Sequence, residues 1–140
     1  MNVCSRPYSN ALERLRAVDL RPTRQRLALA KLLFDGCDRH LSAEQLHSEA
    51  VAAAIPVSLA TVYNTLHQFT EVGLLREIVV DPGRSYFDTN TSPHFHFYHE
   101  EDGRLEDVPP MQITMPDLPV APAGTQIDRV DVIVRLRRTK

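Results

Sequence analysis

The chain has 140 residues, 43% of them hydrophobic, which is enough for one domain or two small ones with real cores. No apolar run approaches the roughly 20 residues that span a bilayer. The opening MNVCSRPYSNALERLR meets charge too early for a signal peptide, so a cytoplasmic protein without membrane association is expected. Two distant cysteines, Cys4 and Cys37, give neither a disulfide framework nor a paired-cysteine zinc site. A formal net charge of -2 conceals an uneven distribution: residues 1–34 hold seven Lys/Arg against two acids, and residues 77–128 hold ten acids against two arginines. The tail RLRRTK is basic again. Such a split allows an anion-binding half and a cation-binding half.

The first half reads as four helices and a hairpin. NALERLRAVDL places Leu12, Leu15 and Val18 at helical spacing. RPTRQRLALAKLLF follows, with Pro22 expected in the first turn and Leu27, Ala30, Leu33 and Phe34 as the apolar stripe. A third helix, AEQLHSEAVAAA, is announced by Ser42 as cap, Gln45 as its capping-box partner and Leu41 with Leu46 as a hydrophobic staple, and it is expected to stop before Pro56. The fourth starts at Ser58 and ends at Gly73, with Leu59, Val62, Leu66 and Phe69 apolar. Its other face carries Thr61, Tyr63, Asn64, His67 and Gln68, uncharged hydrogen-bonding groups suited to base edges. LLREIVV and RSYFD, joined by DPGR, read as a β-hairpin. The pattern is that of a winged helix-turn-helix, which puts its last helix in the major groove of DNA.

TNTSP, residues 89–93, reads as a hinge. After it, HFHFYH alternates strictly, so His94, His96 and Tyr98 share one strand face while Phe95, Phe97 and His99 share the other. EEDG is a turn, RLEDV an antiparallel return, and RVDVIVRLRR a closing strand with Val130, Val132, Val134 and Leu136 on one face. Prolines at 109, 110, 116, 119 and 122 leave little room for a long helix. A sheet this small hides neither its edges nor its apolar faces alone, and a second copy of the chain would cover both. Two imidazoles about 7 Å apart at Cα on one strand face can reach a single ion, and a His/carboxylate mixture with Asp88 and Asp107 suits zinc, manganese or ferrous iron.

RPTRQRLALAKLL, HLSAEQLH, SLATVYNTLHQFTEVGLL and the HFH strand together resemble the ferric uptake regulator (Fur) superfamily over nearly the whole chain. The resemblance implies an α+β protein: a winged-helix DNA-binding domain at residues 1–88, a hinge at 89–93 and a small α/β dimerisation and ligand-sensing domain at 94–140. It implies a metal-responsive transcriptional regulator acting on double-stranded operator DNA as a homodimer. Carried over by position, the regulatory metal site falls on His40, Asp88, His94, His96 and Asp107, where Asp88 replaces a usual glutamate. DNA contacts fall on Arg21, Thr61, Tyr63 and Asn64, the last standing where many members carry arginine.

Two departures narrow the likeness, a missing Cys-x-x-Cys pair and an upstream histidine-rich run shortened to PHFH. The usual Cys-x-x-Cys pair is replaced by His99 and Asp102, so no structural four-cysteine zinc is expected. The proline-containing C-terminus ending RVDVIVRLRR, without that pair, resembles the iron response regulator (Irr) subfamily. That likeness implies haem sensing and control of iron-uptake and haem-synthesis genes, with haem-synthesis enzymes as a haem source. Cys4 is followed by Ser5 and no Cys-Pro occurs, so haem would rest on His94 and His96. The same residues allow a zinc- or manganese-sensing repressor. A reading of a different class, a small metallohydrolase using His94, His96 and His99, is disfavoured because strand alternation turns His99 away.

Overall fold

The computed structural model describes residues 11–109 and 117–139. The expectations resting on the basic N-terminal segment, Cys4, Pro110 and Pro116 lie outside these residues. The chain divides into two compact units, Met1–Thr91 and Ser92–Lys140.

Unit 1 contains helices α1 (Ala11–Ala17), α2 (Arg24–Phe34), α3 (Ala43–Ala52) and α4 (Leu59–Glu71) and strands β1 (His40–Leu41), β2 (Arg76–Asp81) and β3 (Arg84–Asp88). Three of the helices start on a side-chain cap. Thr23, Ser42 and Ser58 each accept a bond from the backbone N–H three residues on, which satisfies one otherwise unpaired donor. Thr23 as cap places Pro22 ahead of α2 rather than in its first turn, a correction to the sequence reading. The α3 terminus is also corrected. The helix stops at Ala52, four residues before Pro56, because Ala54 adopts a left-handed conformation (φ 58°) and the Ile55 N–H returns to the Ala50 carbonyl at 2.8 Å. Gly73 (φ 84°) ends α4 in the same way, with Leu74 N–H bonded to the Phe69 carbonyl at 2.9 Å.

The apolar stripes converge on one core. Leu15, Leu29, Leu33, Phe34, Leu46, Leu66 and Phe69 are buried there, and Phe34 meets Phe69 at 6.2 Å between ring centroids. Leu41 and Leu46, the staple pair, are both fully buried. The hairpin β2–β3 turns through Pro82 and Gly83 (φ 76°) as expected. It gains a third strand that periodicity did not signal: β1 pairs antiparallel with β3, giving the order β1-β3-β2. Cys37 is disulfide-bonded, against the expectation drawn from cysteine spacing; the sequence's other cysteine, Cys4, lies outside the described residues.

Unit 2 contains β4 (His96–His99), β5 (Arg104–Asp107) and β6 (Ile133–Leu136) in the order β5-β4-β6. Gly103 (φ 68°) sits in the turn of the antiparallel β4–β5 hairpin. β6 lies parallel to β4 and is shorter than RVDVIVRLRR suggested, with Val130 and Val132 outside it. The basic tail is partly offset inside this unit. Arg135 pairs with Glu100 at 3.0 Å, and the Arg138 backbone N–H donates to the Glu101 carboxylate at 3.1 Å.

Candidate metal centre and DNA-reading face

The central strand β4 alternates as its sequence dictates, with His96 and Tyr98 buried and Phe97 and His99 half-buried. Register then decides which acid meets which imidazole. His96 lies directly opposite Asp107, and His99 opposite Arg104. On the His96 face, the His94 ring lies 4.5 Å from the His96 ring between centroids, tilted by 58°. The Asp107 Oδ1 atom stands 3.5 Å from Nε2 of His94 and 3.5 Å from Nε2 of His96. The candidate ligand atoms of all three residues fall within 4.8 Å of one another.

The tautomer of His94 follows from its other nitrogen. Nδ1 lies 2.7 Å from the Ser92 carbonyl oxygen, which only accepts, so the ring hydrogen is assigned to Nδ1. Nε2 then faces the Asp107 carboxyl group. A cation between these atoms would be held by both imidazoles and the carboxyl group. Bonds of about 2.1 Å to a tetrahedral divalent ion would separate its ligands by about 3.4 Å, close to the 3.5 Å found. The cluster therefore fits a small divalent cation. His96 is only 2% exposed, whereas the Asp107 side chain is 54% exposed, so an ion would enter from the carboxylate side. A carbonyl that orients a ligating imidazole is the usual outer support of such a site.

His99 does not join. Its Nε2 bonds to Glu106 Oε1 at 2.8 Å on the opposite face, and this hydrogen bond, more than the nearby Arg104, holds the Glu106 carboxyl below its ordinary value. The three histidines do not converge as a hydrolase site would require.

The remaining two residues of the expected ligand set belong to unit 1. His40 in β1 stands directly opposite Asp88 in β3, and Arg76 in β2 stands opposite Asp88 from the other side. Asp88 is 1% exposed and accepts the Asn90 N–H at 2.9 Å.

On α4, Thr61, Tyr63 and Asn64 occupy the polar face as expected, with Asn64 and His67 exposed. The Thr61 hydroxyl accepts from the Ser58 hydroxyl at 3.0 Å. Arg21 is exposed in the segment before α2, and its carbonyl accepts from Arg26 at 2.9 Å. Sequence reasoning missed two supports of this face. Arg26 Nε donates to Gln68 at 3.2 Å, and the Tyr63 hydroxyl donates to Glu44 Oε2 at 2.6 Å. Glu44 had only its place in the first turn of α3 to mark it, where an acid suits the helix dipole for unrelated reasons.

The Ferric uptake regulator family model matches residues 17–134, which takes in both units. The chain belongs to the Ferric uptake regulator family. Members of this family are transcriptional regulators rather than enzymes. A Staphylococcus aureus relative, the peroxide-responsive repressor PerR, is 33% identical over 94 residues. That stretch covers 66% of this chain and 62% of the relative, so the chain spans less than two thirds of the relative's length. Among solved structures, the ferric uptake regulator from Pseudomonas aeruginosa with manganese superposes with a TM-score of 0.68 at 23% identity, covering 93% of this chain and 98% of that one. The Vibrio cholerae ferric uptake regulator gives 0.69 at 20% identity, covering 90% and 98%. These two likenesses establish the fold, an α+β arrangement with a winged helix-turn-helix unit. Among the described residues, no helix of this family member is long and apolar enough to cross a membrane.

Proposed function

We propose that this member of the Ferric uptake regulator family is a cytoplasmic metalloregulator that binds operator DNA as a homodimer and senses a divalent cation through His94, His96 and Asp107. The observation that carries the reading is the pair of imidazole nitrogens facing one carboxylate oxygen at 3.5 Å. His40 and Asp88 enter the ligand set through the family resemblance, and TNTSP serves as the hinge. Arg21, Thr61, Tyr63 and Asn64 contact DNA, with α4 in the major groove. Support for the DNA role comes from the family and from the uncharged, hydrogen-bonding face of α4. Metal binding need favour one arrangement of the two units by only about 1–3 kcal/mol to switch DNA affinity.

The donor set does not single out manganese, iron or zinc. A second reading, haem held by His94 and His96, is carried by the Irr likeness alone; it brings iron-uptake and haem-synthesis genes as targets and haem-synthesis enzymes as a haem source. One experiment separates the two. Purified protein is titrated with manganese, ferrous iron, zinc and haem, and operator binding is measured in each state for the wild type and for His94→Ala with His96→Ala. Binding of one divalent metal that is lost in the double variant, with haem producing no Soret shift, supports the metal reading. A haem Soret shift that disappears in the double variant supports the second. Unchanged metal and haem binding in the variant overturns both.

A further inference from the structure

The Tyr63 phenol is amphoteric in hydrogen bonding. A phenol can donate to an acceptor such as guanine O6, or accept from an amino group such as adenine N6 or cytosine N4. Whether it can donate to a base depends on where its single hydrogen goes. That hydrogen points at Glu44 Oε2 across 2.6 Å, joining α4 to the first turn of α3. The ring is held from behind as well: Tyr63 meets His67 at 6.2 Å and His67 meets Phe87 at 5.7 Å between centroids. Tyr63 and Glu44 line a cavity of 510 Å³, together with Ser42, His67, Arg84 and Tyr86, so the phenol oxygen remains reachable. The bond moves both partners, holding the Glu44 carboxyl below its ordinary value and the Tyr63 phenol above.

We infer that Glu44 is a specificity-determining residue: by taking the Tyr63 hydrogen it leaves the phenol only lone pairs, so Tyr63 reads an exocyclic amino group of adenine or cytosine. This rests on the proposed placement of α4 in the major groove. Glu44 needs no contact with DNA; it positions Tyr63, and a carboxylate, which cannot donate, fixes the direction of the bond in a way an amide would not.

The test uses the full-length protein loaded with manganese and an operator selected by it from random DNA. Each adenine and cytosine in the half-site is replaced in turn by its analogue lacking the amino group. In the wild type, one such replacement should weaken binding by roughly 3- to 10-fold, the scale of one net hydrogen bond. The same replacement should cost less than about 2-fold in Tyr63→Phe, below that scale. Changing that adenine to guanine, or that cytosine to thymine, presents an acceptor instead, and should weaken wild-type binding at least about 3-fold more than binding by Glu44→Ala, whose phenol is free to donate. A general gain in affinity from removing a carboxylate near phosphates cancels in this ratio. An alkaline absorbance titration of Glu44→Ala should also show one tyrosine ionising earlier than in the wild type. An equal guanine or thymine penalty in Glu44→Ala and wild type, or no amino-group penalty at any position, overturns the inference. If Tyr63→Ala binds the operator as tightly as the wild type, the placement of α4 itself is wrong; if Tyr63→Ala weakens binding but Glu44→Ala leaves the guanine or thymine penalty intact, only the role of Glu44 fails.

Discussion

His40 and Asp88 face each other across the antiparallel pairing of β1 with β3, and Arg76 faces Asp88 from β2. A carboxylate at 1% exposure is held by its surroundings rather than by water. Asp88→Ala should therefore lower the stability of unit 1 by about 2–3 kcal/mol, the cost of leaving buried polar partners unmatched. Chemical denaturation in the presence of a chelator checks this apart from any metal contribution. Equal midpoints for the two proteins would show that Asp88 has no structural role.

Arg39 makes a bidentate bridge to Glu49, at 2.9 and 2.5 Å, and also donates to the Leu32 carbonyl at 3.3 Å. The side chains are 30% and 31% exposed, so solvent screens the pair in part. Arg39→Met should cost about 1 kcal/mol, at the upper end for such a pair because the fork geometry is complete. A thermal melt at low and at high salt measures it, and the deficit should shrink as salt rises.

For DNA, Tyr63→Ala should weaken specific binding by about 1–3 kcal/mol, the scale of one base-edge contact. Arg21→Ala should lower affinity for all sequences and reduce the salt slope by about 1. Competition binding over a salt series distinguishes the two patterns.

The Glu44–Tyr63 bond should leave a mark on the pH dependence of stability. Glu44 has its carboxyl lowered from 4.5 by the phenol hydrogen bond, so its contribution is present above 4.5 and lost as pH falls through the lower folded value. Tyr63 is raised from 10.0 by the same bond, so its contribution is present below 10.0 and lost as pH rises through the higher folded value. The stability difference between wild type and Tyr63→Phe should hence be flat from pH 4.5 to 10.0 and decline on both sides. Urea unfolding across that range measures it.

The parts of this molecule that were legible in its sequence are those decided by near neighbours. Ser42 and Ser58 cap helices because the N–H they accept lies three residues away, and Gly73 ends α4 because its own φ permits it. The alternation of HFHFYH placed His96 and His99 on opposite faces for the same reason. What depends on distant pairing was hidden. The two-residue β1 carries no period of its own, β6 gave no sign of its parallel orientation, and Ala54 takes a conformation that its side chain does not favour. The disulfide at Cys37 was equally invisible, since spacing says little about which cysteines approach each other. At the candidate centre, the histidines and Asp107 were found by pattern and resemblance, whereas the orienting Ser92 carbonyl is backbone and leaves no trace in residue type.

The parallel pairing of β4 with β6 also fixes an order of events in synthesis. The His96 N–H bonds to the Val132 carbonyl at 3.3 Å, and His96 lies beside Ile133, so the strand that carries the imidazoles is completed by residues made long after it. The helices and hairpin of unit 1 need only contacts among residues already translated, and short-range contacts form quickly. The pairing of His96 with β6 spans 37 residues of chain, from His96 to Ile133, a longer-range closure than the hairpins need. The histidine strand is thus paired on one side only, with β5, until residues 132–136 have been made.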